Sequence, residues 1–273
     1  MIGGSFALAV RKAFPEVRVT GWDRPEVLAT AAQRGAIQEC AAAGLNAAIG
    51  AADLVYVALP IGMALDLLPT IAAAADANAL VTDACSTKAA ICNVAAKVFH
   101  GGARFLGGHP MAGREDSGIN HAEEGLFRGD RYALMGSEAD ADPLAVQFAG
   151  LLRAIGSEVI WCDPETHDWA VGVVSHLPQL ASLALARVVL DETDETGLPV
   201  TLAGPGVRAA LRLAGSPYSV WRDVCLTNTA NISRSLDRLS QAVDRLRDLL
   251  RSRELEDEFR AGNELYKILH NLK

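Results

Sequence analysis

The chain reads as an α/β protein, a doubly wound parallel sheet followed by an all-α domain. Three observations predict this. Apolar strand-type runs alternate with helix-type segments from the amino end to about residue 162, the signature of a parallel sheet wrapped by helices. Two of the runs, Leu54-Val55-Tyr56-Val57-Ala58-Leu59-Pro60 and Ala79-Leu80-Val81-Thr82-Asp83-Ala84, are continuous rather than alternating, as strands buried on both faces are. Beyond Asp163-Pro164 no strand is legible, and Leu236, Leu239, Val243, Leu246 and Leu250 recur at spacings of 3, 4, 3 and 4. That is a helix seam of coiled-coil type. The domains expected are therefore 1–162, a doubly wound α/β unit, and 163–273, a helical unit with enough apolar surface to dimerise.

The elements follow in order. Gly3-Gly4-Ser5 leads into a helix over Phe6–Ala13, and Gly3 is placed as the third glycine of a nucleotide-binding turn of the form strand, G-x-G-x-x-G, helix. The strand and the first two glycines of that turn do not precede it. The expectation is that Met1 is an internal methionine of a longer protein and that the first strand of the sheet lies ahead of it. Val17–Trp22 alternates and is β-branched, hence a strand, and it ends at Asp23. An acidic residue about 20 residues past the glycine turn can accept both hydroxyls of an adenosine ribose; a lone Asp after a strand also serves as a turn residue or helix cap. Helices are expected over Pro25–Arg34, stopped by Gly35, over Met63–Ala74, and from Ser86 to about Phe99. Ser86, at the start of the last of these, suits a polar substrate group or a helix cap. Arg104–Leu106, Tyr132–Met135 and Glu158–Trp161 complete the strands, and Pro143–Gly156 supplies a helix. In the second half, Thr166–Leu190 is long and apolar and carries His167-Asp168 and Ser175-His176-Leu177-Pro178-Gln179, with a kink expected at Pro178. Asp191–Gly197 is polar, hence a loop. Gly204-Pro205-Gly206 precedes a helical run bearing Arg208 and Arg212.

Composition narrows the function classes. Half of the 273 residues are apolar and 21% are charged, ordinary for a globular protein with a real core. A net charge of −8 and a pI near 5.3 argue against nucleic acid, whose phosphates demand a basic face. Five scattered cysteines form no C-x-x-C pair, so neither a metal site nor a disulfide framework is signalled, and reduced thiols in a cytoplasmic protein are the simplest expectation. No apolar run reaches the roughly 18 residues of a membrane span, and no signal peptide is read at the amino end.

Chemistry concentrates at Gly107-Gly108-His109-Pro110-Met111-Ala112-Gly113, running on through Arg114, Glu115, Asp116 and Ser117 to Gly118. The glycines and the proline stop regular structure, so the expectation is a loop at a strand end holding one imidazole. Ligands of open parallel sheets sit at the carboxyl ends of the strands.

Five stretches in this order resemble the TyrA family, the prephenate and arogenate dehydrogenases of tyrosine biosynthesis. They are Ile2-Gly3-Gly4-Ser5; Thr82-Asp83 with Ser86-Thr87-Lys88; Gly107 to Gly113; Ser175-His176-Leu177-Pro178; and Gly206 with Arg208, Arg212 and Trp221-Arg222-Asp223. The resemblance covers nearly the whole length. It implies a nicotinamide-binding Rossmann domain, an all-helical dimerisation domain, NAD as cofactor, a homodimer, and no nucleic-acid, membrane or metal partner. It implies His109 as the catalytic histidine against the ring hydroxyl, with Ser86 beside the same hydroxyl and the nicotinamide. Arg212 is implied to hold the ring carboxylate, and His176 and Trp221 to surround the substrate side chain. Ile2, Gly3, Asp23, Leu59, Pro60 and Ser86 are implied in cofactor binding, with NAD preferred over NADP because Asp23 repels a 2′-phosphate; Arg24 is the counter-argument. The chemistry suits these types: a neutral imidazole takes the hydroxyl proton as a carbonyl forms, and a guanidinium pairs with a planar carboxylate.

The chain departs from the family pattern at three places. The front of the glycine turn is missing, Ala209 stands where many members have Asp, and Arg114 replaces a small hydroxyl residue. Two other readings are a different dehydrogenase built from a Rossmann and a helical domain, and a truncated, non-catalytic dimer module. A substrate panel separates the first, and a measurement of NAD binding separates the second.

Overall fold

In the computed structural model, which describes residues 1–42, 44–112 and 117–271, the chain divides into two units. The first is Met1–Val171 with Gly215–Asn228, and the second is Gly172–Ala214 with Thr229–Lys273.

The first unit runs α1 (Ile2–Ala13), β1 (Thr20–Gly21), α2 (Pro25–Gln33), β2 (Glu39–Cys40), α3 (Leu45–Gly50), β3 (Leu54–Val57), α4 (Ile61–Ala74), β4 (Leu80–Asp83), α5 (Ala89–Val98), β5 (Arg104–Leu106), β6 (Gly108–Pro110), β7 (Arg131–Met135), α6 (Pro143–Ala154), β8 (Glu158–Cys162) and α7 (Pro164–Val171). Local chemistry explains most of the boundaries. Pro143 opens α6, where a missing N–H costs nothing, and the Asp142 carboxylate accepts from the Leu144 and Ala145 N–H groups at 2.9 and 3.0 Å. Gly156 then closes the turn after α6 at φ 98°, a conformation that favours glycine.

The strands form three short sheets: β1-β2, β3-β4-β5 and β6-β7-β8. All pairings are parallel except β6 with β7. Neighbouring residues of one strand face different helices, as the strand period requires. Leu80 joins a core with Phe6, Leu134, Phe148 and Leu152, against α1 and α6. Val81 joins a core with Leu68, Ile71 and Ile91, against α4 and α5.

Several expectations are corrected. α1 begins at Ile2, so Gly3 and Gly4 lie in its first turn rather than ahead of it. A Cβ on Gly3 would stand 3.0 Å from that of Ala58, and one on Gly4 2.4 Å from Ile119 Cδ1, so the helix start is packed hard against its neighbours. Of Val17–Trp22 only Thr20–Gly21 pairs, because β2 is itself two residues long. β2 and α3 were not legible in an alanine-rich stretch. Among the described residues no strand joins β1 to β3. A cavity of about 320 Å³ opens there, lined by Phe6, Ala7 and Val10 of α1, Thr20 and Gly21 of β1, and Leu54 to Val57 of β3.

The second unit opens on a π-helical turn, Gly172–His176, followed by α8 (Leu177–Asp191), α9 (Leu198–Thr201) and α10 (Pro205–Ala210), with a 3-10 turn over Arg212–Gly215. α11 (Tyr218–Thr227) belongs to the first unit. α12 (Thr229–Leu249) and α13 (Leu255–Asn271) complete the second. The interruption expected at Pro178 falls earlier, at the π turn, and Pro178 sits in the first turn of α8. The helical run is continuous from Pro164 to Asp191, so the missing N–H of Pro178 coincides with the π turn that precedes it. The Leu236–Leu250 seam lies on α12 apart from Leu250, one residue past its end. The membrane expectation also needs correcting: by length and composition alone, the helical stretch Pro164–Asp191 is apolar enough to span a bilayer. It nevertheless carries the buried polar side chains His167, Asp168, His176, Gln179 and Ser182.

The open edges of β1 and β3 make a prediction. An apolar strand of about six residues, joined ahead of Met1 through Gly-x-Gly, is expected to pair with both edges and raise the melting temperature by roughly 4 °C or more. An unchanged thermal unfolding curve would show that neither edge accepts a strand.

Candidate active site

The site is built around the carboxyl end of β4. Asp83 and Lys88 are fully buried there and form an ion pair. Asp83 Oδ2 accepts from the Cys85 N–H at 2.9 Å, and Oδ1 from the Gly108 N–H at 3.1 Å. Lys88 Nζ donates to the Gly108 carbonyl at 2.7 Å. One ion pair thus grips both backbone groups of the residue before His109. Position 108 must be glycine, since a Cβ would meet the Asp83 carbonyl oxygen at 2.8 Å.

His109 is not in a loop, which corrects the expectation. It is the middle residue of β6, paired with Ala133 of β7, and is buried. The glycines do not abolish regular structure here; they let the chain pass from β5 to an antiparallel strand in close quarters. His109 Nδ1 lies 2.9 Å from His167 Nε2, and His167 Nδ1 lies 2.8 Å from Asp168 Oδ1. Asp168 also receives the Lys88 N–H at 2.7 Å and the Ala89 N–H at 2.9 Å, so it caps the N-terminus of α5. Its own carbonyl accepts from Asn228 Nδ2 at 2.7 Å. Ser86 lies half-buried in the turn between Asp83 and Lys88, followed by Thr87, whose hydroxyl is 2.8 Å from that of Thr227. The structure therefore brings His109 and the Ser86 turn onto one hydrogen-bonded frame. Sequence reading noticed His167-Asp168 without giving the pair a role; the signal was an adjacent His and Asp directly after the last strand.

The residues expected at the cofactor gather in part. Gly3, Asp23 and Leu59 line one cavity, with Trp22 and Ala58. Asp23 is half-exposed, and its carboxylate accepts from the Arg24 N–H at 2.7 Å. Pro60 precedes α4, and Ile2 packs instead on the core beside Phe6. The N-terminus of α4 is held by Asp223, whose Oδ2 accepts from the Gly62 N–H at 2.9 Å. The Arg222 guanidinium first, and that N–H second, hold Asp223 below the usual carboxylate range. Trp221 packs beside Val224 on the α4–α5 core. In the second unit His176 is buried at the end of the π turn, and Arg212 opens the 3-10 turn. The segment bearing Arg212 is pinned to α8: Gln179 Nε2 donates to the Leu213 carbonyl at 2.8 Å, and Ser182 Oγ to that of Ala210 at 2.8 Å. Ala209 is exposed on α10. Gly113, Arg114, Glu115 and Asp116, including the Arg114 singled out above, lie outside the described residues.

The thiols near the ion pair are not poised as nucleophiles. Burial, with the Asp83 charge second, holds Cys85 well above its ordinary value. Burial likewise pushes Cys92 up to about 12.

Two family models match the chain, "Prephenate dehydrogenase, nucleotide-binding domain" over residues 6–161 and "Prephenate dehydrogenase, dimerization domain" over residues 163–269. A prephenate dehydrogenase of Bacillus subtilis is 30% identical over 95% of this chain and 70% of its own. The crystal structure of prephenate dehydrogenase from A. aeolicus in complex with hydroxyphenyl propionate and NAD+ superposes with a TM-score of 0.90 at 25% identity, covering 98% of this chain and 94% of that one. Synechocystis arogenate dehydrogenase gives a TM-score of 0.83 at 28% identity, covering 98% and 96%.

The buried ion pair predicts a stability signature. Lys88→Met leaves Asp83 buried without its counter-charge and is expected to cost about 3–5 kcal/mol in urea unfolding. The double variant Lys88→Met with Asp83→Asn should lose clearly less. Equal losses in the two would mean that the charges do not act as a pair.

Proposed function

We propose, from the premise that this chain belongs to the prephenate dehydrogenase family, that it oxidises and decarboxylates prephenate or arogenate with NAD in tyrosine biosynthesis. The observation that carries the reading is the buried His109, fixed by its ring to His167 and by its backbone neighbour to Asp83 and Lys88. A general base needs a fixed direction as much as a suitable affinity for protons, and both supports supply direction.

The chain's own residues account for the steps. His109 accepts the proton of the ring hydroxyl as a carbonyl forms at that carbon. Ser86, on the turn anchored by Asp168 through Lys88 and Ala89, would hydrogen-bond the same oxygen. By the family resemblance, Arg212 would pair with the substrate carboxylate and His176 would meet the substrate side chain. Trp221 gives an aromatic wall. With the ring carbonyl formed, loss of the opposite carboxylate as carbon dioxide makes the ring aromatic. NAD, when bound, takes the hydride from the hydroxyl-bearing carbon. The residues fit that cofactor: Gly3, Asp23 and Leu59 line one cavity, with a carboxylate for ribose hydroxyls at Asp23. Gly3, Asp23 and Leu59 would hold its adenosine half, with Asp23 favouring two free ribose hydroxyls over a 2′-phosphate.

The second unit supports a homodimer. Val174, Leu190, Leu250, Phe259 and Leu269 are exposed on it, more apolar surface than an isolated helical unit usually leaves in water.

A steady-state assay of the full chain with prephenate and arogenate, each with NAD and NADP, tests the reading; no turnover of either substrate would reject it. His109→Asn is expected to lower kcat by about a hundredfold or more, the scale of a lost general base, with KM little changed. Near-normal turnover would remove His109 from the mechanism. Arg212→Ala is expected to raise KM roughly tenfold or more, since a charge-assisted pair is worth about 1.5–3 kcal/mol. An unchanged KM would contradict its role.

A further inference from the structure

We propose that His167 and Asp168 are positioning residues that hold His109 as a single tautomer, its proton on Nδ1 and its lone pair on Nε2. The inference rests on the reading of His109 as general base and adds to it the device that sets the base.

The direction of the hydrogen bonds follows from one fixed end. A carboxylate only accepts. Asp168 already receives two backbone N–H groups from the first turn of α5, Lys88 at 2.7 Å and Ala89 at 2.9 Å, and those groups cannot reverse. The contact between Asp168 Oδ1 and His167 Nδ1 at 2.8 Å therefore has the imidazole as donor. With its proton on Nδ1, a neutral His167 presents Nε2 as an acceptor. Its partner at 2.9 Å, His109 Nδ1, must then be the donor. His109 is left with the basic pair on Nε2, the nitrogen directed away from the chain of bonds.

The rings meet edge to face, with centroids 5.1 Å apart and planes at 70°, and all three side chains are buried. Burial matters because water cannot supply a substitute partner and let the tautomers interchange. The same carboxylate clamps the residues two and three beyond Ser86. The turn bearing the hydroxyl and the ring bearing the base are thus referred to one anchor.

Substitutions separate positioning from bulk. Asn at 168 cannot serve all three donors: Oδ1 takes both His167 Nδ1 and the Lys88 N–H, and Oδ2 takes the Ala89 N–H, so the amide nitrogen must face at least one of them. With the nitrogen in the Oδ1 place the chain of bonds reverses and puts the His109 proton on Nε2, the wrong side for a base, and with it in the Oδ2 place the anchor on α5 is lost at Ala89. Gln at 167 keeps an acceptor for His109 Nδ1; Leu at 167 removes it.

The first measurement needs no variant: long-range proton–nitrogen correlation spectra of the full chain, with His109 assigned by the signal lost in His109→Asn. His109 is expected as the Nδ1-protonated tautomer in the unaltered protein, and with an Nε2-protonated population in Asp168→Asn and His167→Leu. Kinetically, Asp168→Asn and His167→Leu are expected to lose on the order of 100-fold or more in kcat, with KM for the cyclohexadienyl substrate and Kd for NAD within about threefold. His167→Gln should restore kcat to within roughly tenfold of the starting value. An Nε2-protonated His109 in the unaltered protein overturns the proposal, and so does an Asp168→Asn enzyme with normal kcat. Should His109→Asn stay active, the base assignment falls, while the tautomer spectra still decide whether His167 and Asp168 set the ring.

Discussion

The buried pair of Asp83 and Lys88 is the interaction on which the rest of the first unit depends. Two charges withdrawn from water are costly, and here the cost is offset because nearly every donor and acceptor has a job. Asp83 takes the Cys85 and Gly108 N–H groups as well as the ammonium, and Lys88 returns a bond to the Gly108 carbonyl. The pair joins the end of β4, the start of α5 and the first residue of β6. Those are the three pieces that must be in register for His109 and Ser86 to share one site. It also settles what the neighbouring thiols can do. Beside a buried carboxylate and away from water, Cys85 and Cys92 stay protonated.

A second buried contact fastens the sheets to one another. Tyr56 on β3 and Tyr132 on β7 meet through their hydroxyls at 3.1 Å, and Phe6 of α1 stacks on Tyr56 with ring centroids 3.8 Å apart. Burial raises both phenols far above their ordinary values, so the pair is a neutral strut. Two separate sheets of three strands each, β3-β4-β5 and β6-β7-β8, thus share one core under α1 and α6.

The second unit is held differently. Among the described residues its buried side chains are few and largely polar, His176, Gln179, Ser182 and Ser235 with Ile232. Two of them fasten backbone groups: Gln179 donates to the Leu213 carbonyl at 2.8 Å, and Ser182 bonds to both the Ala210 carbonyl and the Ala214 N–H, at 2.8 and 3.1 Å. That arrangement sets the position of the Arg212 turn while most large apolar side chains remain outward.

The sequence by itself determined the alternation of strand and helix to residue 162, the buried character of β3 and β4, the helical second half and the imidazole at the end of the Arg104–Leu106 strand. Each is written in a local period or in a short run of residue types, so neighbours along the chain suffice to read it. What only the tertiary structure decided is where those pieces meet. His109 belongs to a strand because Ala133 pairs with it, and a three-residue strand rich in glycine carries no period of its own. His167 is its partner across 58 residues, and Asp168 reaches α5 across 79 or 80. A hydrogen bond is decided by separation and angle at the last ångström. No spacing along the chain encodes that, so the contacts joining His109, His167 and Asp168 stayed out of sight until the fold placed them.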